Sequence, residues 1–463
     1  MTLVITVYNN DRGILVLDDT LQDNEIEYTN KNAKDELEKG NYNTAKTIFE
    51  TLWNNSSKND PYLLFNYGQA LRKTKNGLVF IEICKELNGN KDIMSNKFVV
   101  STLCWCLYDC YIKNYSVDDK EGFDYFIKRA EYIINNCEQM DANEYYKNPF
   151  VLTVIKVVKI YRDKPSKNYN EILKWLSYLN QDKLSEDVFC FKDETGKDRE
   201  LASPKEFYYQ NMAKSLEKMG KFKECIEVCE KAINQISKFH YRNEMWIKTR
   251  MYYSKCMLND KDNIDDAIKG YREIAYKENF WFMYHKLSQI CFSYNRLSEA
   301  LLYASKAFTC RFEYEKMVNL MFDTALLWQA SGIDVNAKIF FQASAYYRKR
   351  QGWQISEELQ YYINLYEIDI NKKPEINTMR NISNDYIMSI EGKIERVEGK
   401  VINIVSPHGR SGFIKPSKGG QNVYFKMKDV YGEKVLKKGN KVEYELFKEN
   451  NGKTRAIKIM LRS

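Results

Sequence analysis

Arg410, Lys415, Lys418 and Lys426 crowd the C-terminal end of this chain, and lysine and arginine are the side chains that contact phosphate oxygens. Two aromatic residues, Phe413 and Tyr424, fall among them. Phe413 stands two residues from Ser411 and Tyr424 two from Lys426, so in an extended strand each ring shares a face with a polar side chain. This spacing predicts rings open to solvent and surrounded by positive charge. His408 precedes Arg410 in what reads as a loop. A cleavage role is conceivable for it, but a lone loop histidine is more often a phosphate contact or merely solvated.

The charge around these residues is lopsided. From Glu391 to Ser463 the chain has 17 Lys and Arg against 8 Asp and Glu, a net of +9. The whole chain has 71 against 63, so the first 390 residues, with 54 against 55, are near neutral. A small basic module on a large neutral body points to an electrostatic partner such as a phosphate backbone. The bland alternative is a tail kept soluble by a few lysines.

Short β-prone runs build this module. Val401, Asn403 and Val405 alternate with Ile402 and Ile404. Gly412-Phe413-Ile414 and Asn422-Val423-Tyr424-Phe425 follow, separated by the turn-rich Pro416-Ser417-Lys418-Gly419-Gly420-Gln421. Val442-Glu443-Tyr444-Glu445-Leu446 alternates cleanly, and Asn450-Asn451-Gly452 reads as a hairpin turn before Ala456-Ile457-Lys458-Ile459. Five short strands with no helix-period segment between them predict a compact five-stranded barrel.

The order and spacing of Gly399-Lys400-Val401, Gly412-Phe413-Ile414-Lys415-Pro416, Asn422-Val423-Tyr424-Phe425 and Gly439-Asn440-Lys441-Val442-Glu443-Tyr444 resemble a cold-shock domain. That family is an oligonucleotide-binding barrel for single-stranded RNA or DNA, whose two motifs present rings on which bases stack. The resemblance covers the terminal module alone and implies stacking roles for Phe413 and Tyr424. It is incomplete. The family's other first-motif aromatic falls on Ser411, its first-strand tryptophan on Asn403, and the histidine and phenylalanine of its second motif on Lys426 and Met427. Two rings support weaker stacking than a full set, so affinity is expected to lean on phosphate contacts, with strong salt dependence and little sequence preference. The competing reading is a barrel that has lost nucleic acid and docks a protein.

The long body repeats itself. Gly40, Ala45, Phe49 and Leu52 set a frame that recurs at Gly220, Phe222, Cys225, Cys229 and Ala232, and at Ile264, Ala267, Tyr271 and Ile274. It recurs again at Leu297, Ala300, Ala304 and Ala307, and more weakly at Gly332, Ala337 and Phe341. A small residue near the start of the second helix lets a helix pair approach closely, and the residues four and seven further on lie along the same face. Positions 267, 300 and 337 are spaced close to the unit of about 34 residues found in tetratricopeptide repeats. The body therefore resembles a tetratricopeptide-type helical solenoid, clearest at Asn32–Leu52 and Glu206–Ala307 and degraded between Leu78 and Pro204. Such solenoids present a groove to a protein segment; the alternative is a body that only positions the barrel or self-associates.

The expected organisation is a hairpin-like extension at 1–28, the solenoid at 29–370, a linker at 371–390 and the barrel at 391–463. Lys372-Lys373-Pro374 and the Asn and Ser residues that follow interrupt the helical pattern and mark the linker. With no apolar run of 18 or more residues and no leader pattern, the chain reads as cytosolic, with no membrane partner.

Eleven cysteines, all between Cys84 and Cys310, sit mostly in apolar helical patterns, where free thiols act as small hydrophobes. Cys104, Cys106 and Cys110, or Cys225 with Cys229, would need further ligands for zinc, and the histidines are His240, His285 and His408. No metal or other cofactor is expected. The sequence has no phosphate-cradling glycine loop, nucleophile elbow or metal-binding histidine pair, so catalytic residues are not assigned. The reading is a non-enzymatic adaptor: the barrel binds single-stranded nucleic acid, RNA favoured, and the solenoid groove takes a protein partner. Its runner-up is a protein-interaction scaffold whose barrel serves docking or oligomerisation.

Overall fold

The computed structural model describes residues 28–144, 148–258, 263–310, 313–392, 396–405, 410–430, 435–448 and 453–462. The extension expected at 1–28 lies almost wholly outside them, as does His408. The chain divides into two compact units, Met1–Met251 and Tyr252–Ser463.

The first unit opens with α1 (Asn30–Lys39), α2 (Tyr42–Asn54), α3 (Pro61–Lys73), α4 (Gly77–Glu86), α5 (Lys91–Met94) and α6 (Lys97–Leu107). It continues with α7 (Phe123–Asn136), α8 (Phe150–Asp163), α9 (Tyr169–Leu176), α10 (Pro204–Lys218), α11 (Phe222–Gln235) and most of α12 (Asn243–Met257). The second holds α13 (Ile264–Glu278), α14 (Trp281–Ser293), α15 (Leu297–Phe308), α16 (Val318–Ala330), α17 (Asp334–Arg350), α18 (Glu357–Leu365) and α19 (Ile376–Glu391). Most successive helices pack on one another. No helix among the described residues is long and apolar enough to cross a membrane.

One turn geometry joins the helix pairs. Gly40, Lys75, Gly220, Asn295 and Gly332 all have left-handed backbones, with φ of 86°, 61°, 70°, 58° and 75°, and each stands two residues before the next helix. The amide after each reaches back to a carbonyl five residues earlier: Asn41 to Glu36, Asn76 to Leu71, Lys221 to Leu216, Arg296 to Cys291 and Ile333 to Trp328, at 2.7–3.0 Å. This is the Schellman closure, which satisfies carbonyls that the ending helix leaves without partners. The small residues of the repeat frame then do what their size allows: Ala45, Cys225, Ala267, Ala300 and Ala337 are buried against the facing helix. The body is a tetratricopeptide-like helical solenoid, as its sequence frame predicts.

Two segments differ from expectation. Within the region where the frame fades, β1 (Phe189–Lys192) and β2 (Asp198–Leu201) form an antiparallel hairpin. Its turn is closed by the Asp193 carboxylate, which accepts hydrogen bonds from the Thr195 and Lys197 amides and from Arg199 Nε. Second, most of the segment read as a linker is helical. Met379, Ser383 and Ile387, four residues apart, form the buried stripe of α19, while Asn377, Asn381, Asn384 and Ser389 lie off it. The helical run is broken from Tyr366 to Glu375, where Glu367 adopts a left-handed backbone with φ of 48° and Lys372-Lys373-Pro374 leads into α19.

The barrel follows: β3 (Val397–Ile404), β4 (Ser411–Pro416), β5 (Val423–Lys426), β6 (Lys441–Lys448) and β7 (Thr454–Leu461). Their order is β3-β4-β5-β7-β6, closed by pairing of β6 with β3. All pairs are antiparallel except β5 with β7. This is the five-stranded OB-type barrel predicted from the alternating runs. Val401, Ile414, Phe425, Val442, Tyr444, Ala456 and Ile459 fill its core.

Candidate nucleic-acid interface

The site begins with a glycine. A Cβ on Gly412 would lie 2.2 Å from the Asn403 carbonyl oxygen and 2.8 Å from the Phe425 ring. With hydrogen there instead, β3 and β4 approach closely and Phe425 packs into the core beneath them. The residues on either side of Gly412, Ser411 and Phe413, consequently face outward.

Strand register sets their neighbours. Phe413 is opposite Tyr424 on β5 and Asn403 on β3; Ser411 is opposite Lys426. Phe413 and Tyr424 are both half-buried, and their rings meet edge to face with centroids 5.7 Å apart and planes at 65°. They make one compact aromatic patch rather than two parallel platforms. Edge-to-face contact is a preferred ring geometry, so the pair holds itself in place without a ligand.

A β-bulge places Asn403 in this patch. Val401 pairs with Ile414 in the core, but the register then skips Ile402, and Asn403 pairs with Phe413 on the outer face. Strict alternation puts Val401 and Asn403 on one face; the bulge puts them on opposite faces.

The cations divide by face. Lys400 is the register partner of Lys415 on one side and Lys441 on the other, so three exposed lysines form a row across β6, β3 and β4. Like charges directly opposite one another are unfavourable. None of the three makes an ion pair among the described residues, nor do Lys418 in the β4–β5 turn or Lys426 beside Tyr424. Arg410 is exposed at the entry to β4, its carbonyl accepting from the Met427 amide at 2.7 Å.

Several other cations of the barrel are paired. Arg396 lies 3.2 Å from Glu443 and 3.7 Å from Glu445, Lys458 3.0 Å from Glu445, and Arg462 2.6 Å from Glu398 and 3.6 Å from Glu443. Arg455, the register partner of Tyr424, is buried in an ion pair with Asp429. Those cations are neutralised, whereas Lys415, Lys418 and Lys426 near the aromatic patch make no ion pair among the described residues.

Of the residues singled out in the sequence, Phe413, Tyr424, Lys415 and Lys426 come together on the β4–β5 face, with Lys418 and Arg410 at its turns. Lys400 and Lys441 went unnoticed because only strand pairing places them beside Lys415. Among the described residues no group of His, Cys, Asp and Glu is arranged to hold a metal ion.

No protein-family model matches the chain, and comparison with curated proteins finds no match. Among solved structures it is similar to a tetratricopeptide repeat protein from Parabacteroides merdae, at 10% identity over 73% of this chain and 96% of the other, with a TM-score of 0.28. It is also similar to the human IFIT1 dimer with PPP-AAAA, at 12% identity over 78% of each chain, with a TM-score of 0.34. These likenesses are faint, and the helical repeat stands on its own turns and buried small residues.

Proposed function

We propose that the barrel binds single-stranded nucleic acid, RNA in preference to DNA, across the β3–β4–β5 face, and that the helical solenoid holds a protein partner. The chain is then an adaptor without chemistry of its own. The observation that carries the reading is the coincidence of the Phe413–Tyr424 patch with the unneutralised row Lys441–Lys400–Lys415. Bases stack on the rings while phosphates meet the lysines. The cold-shock resemblance supports the same face, because Phe413 and Tyr424 are the two stacking positions that this chain retains.

The rings present a single patch, so the lysines supply much of the affinity and sequence preference is weak. Linking a modest nucleic-acid site to a modest protein site raises the effective concentration of each partner for the other. The test is fluorescence anisotropy of the full chain with labelled single-stranded RNA and DNA of mixed sequence. Phe413→Ala or Tyr424→Ala is expected to cost about 1–3 kcal/mol of binding. Lys400→Glu with Lys415→Glu is expected to weaken all sequences alike and flatten the salt dependence. Unaltered binding in both sets of folded variants transfers the barrel to protein docking.

A further inference from the structure

The helical body is near neutral in total, yet it contains a concentrated cationic face within the first unit. On α8, Lys156, Lys159 and Arg162 recur every three residues, a spacing that keeps neighbours on one side of a helix. α10 lies beside them, with Lys159 Nζ 5.8 Å from the centroid of the Phe207 ring. α12 joins α10 on its other side: Arg250 pairs with Glu217, and Gln210 Nε2 donates to the Asn243 carbonyl at 2.7 Å. Lys214 stands on α10 between these two contacts.

The carboxylates at this face are engaged by arginines. Asp163 is 2.9 Å from Arg162, and Glu217, besides holding Arg250, is 3.7 Å from Lys218. Lys156, Lys159 and Lys214 are half-buried and make no ion pair among the described residues. Burial holds Lys159 and Lys214 below the usual lysine range. Arg162 and Lys156 push Lys159 the same way, with the Asp163 carboxylate opposing more weakly, and Arg250, Lys167, Arg162 and Lys218 do so for Lys214. Partly desolvated ammonium groups without ion-pair partners cost stability, and proteins keep such local violations chiefly at functional sites.

We propose that the α8–α10–α12 face is a second site for the phosphates of a single-stranded oligonucleotide. The inference rests on the reading of this chain as a nucleic-acid binder. Lysine ammonium groups act on phosphate as point charges. The half-buried Phe207 ring among them offers a base a stacking surface, and cations with an aromatic ring are the makings of a single-strand site. An acidic peptide would use the cations and leave the ring idle.

The test is salt-dependent anisotropy on the full chain with a labelled single-stranded RNA. Lys159→Glu/Lys214→Glu and the milder Lys159→Met/Lys214→Met are compared with the barrel pair Lys400→Glu/Lys415→Glu, each checked for native circular dichroism. The α8–α10 pairs are expected to lose about tenfold in affinity at low salt and to reduce the salt slope by about 1.4, at 0.7 per lost contact. The methionine pair keeps the test open if charge reversal prevents folding. Unchanged affinity and slope in the folded methionine pair overturn the inference and leave the barrel reading intact. Loss there with none in the barrel pair sustains this site and removes the barrel's. Saturable binding of labelled poly-glutamate that the methionine pair abolishes, with no binding of RNA to the native chain, overturns both in favour of an acidic protein partner.

Discussion

Lys306 of α15 holds the carboxylate of Glu391, the last residue of α19, with Nζ 2.7 Å from Oε1. The lysine is buried, and its Nζ also lies 4.5 Å from the centre of the Tyr276 ring. Burial, with Glu391 close by, pushes the Tyr276 phenol up to about 12. The Tyr386 ring of α19 meets Trp328 edge to face at 5.2 Å. α19 is therefore a packed part of the second unit.

A chain ended at Ile370 loses α19 and uncovers Lys306, so it is expected to melt several degrees below a chain ended at Gly392. Thermal circular dichroism of the two fragments checks this. Glu391→Ala alone, which strips a charged hydrogen-bond partner from Lys306, is expected to cost about 1.5–3 kcal/mol. Equal melting of the two truncations would return the segment to a linker.

Ala300 is fully buried, with Ala304 and Ala307 on the same helix. Ala300→Leu is expected to cost about 1–3 kcal/mol by overpacking, and Ala300→Glu more, since it also buries a charge. Urea unfolding measures both. A Glu variant as stable as the native chain would show that this helix does not pack through Ala300.

Lys75 adopts a left-handed backbone that glycine adopts at Gly40, Gly220 and Gly332. A non-glycine residue is strained there by about 1–2 kcal/mol, partly offset by glycine's greater freedom when unfolded. Lys75→Gly is expected to stabilise by up to about 1 kcal/mol, and Gly220→Ala to destabilise by about as much. Opposite signs in urea unfolding would refute the shared turn geometry.

The depressed lysines on α8 and α10 give two pH effects. The unfolded chain holds their protons more tightly than the native one, so stability rises with pH between their lowered values and the ordinary lysine value. At neutral pH, Lys214→Met is expected to raise the melting temperature. Oligonucleotide binding requires the ammonium form and takes up protons, so affinity falls as pH rises through the lowered values. Isothermal titration calorimetry in buffers of differing ionisation enthalpy detects that uptake. Its persistence in Lys159→Met/Lys214→Met would assign it elsewhere.

Much of the fold is legible where side-chain size or backbone freedom restricts the choice of residue. Gly40, Gly220 and Gly332 announce their turns; Lys75 and Asn295 make the same turn without the signature residue. The barrel is readable from its alternation, yet the bulge at Ile402 is not, because it changes facing without changing composition. α19 is concealed by its asparagines and serines, one of which, Ser383, even belongs to the buried stripe. The cationic face escapes notice for a different reason: α8, α10 and α12 are far apart in sequence, and acids between them cancel the count.

The closed ladder between β3 and β6 has a further consequence. A sheet that ends in an open strand offers unpaired amides and carbonyls to any neighbouring chain, and with them a route to aggregation. Here each strand already has two partners. Another molecule must meet the barrel through side chains or through its loops, and strand exchange between copies would first have to break the β3–β6 pairing. The barrel's surface lysines are thus free to serve recognition without also having to guard an edge.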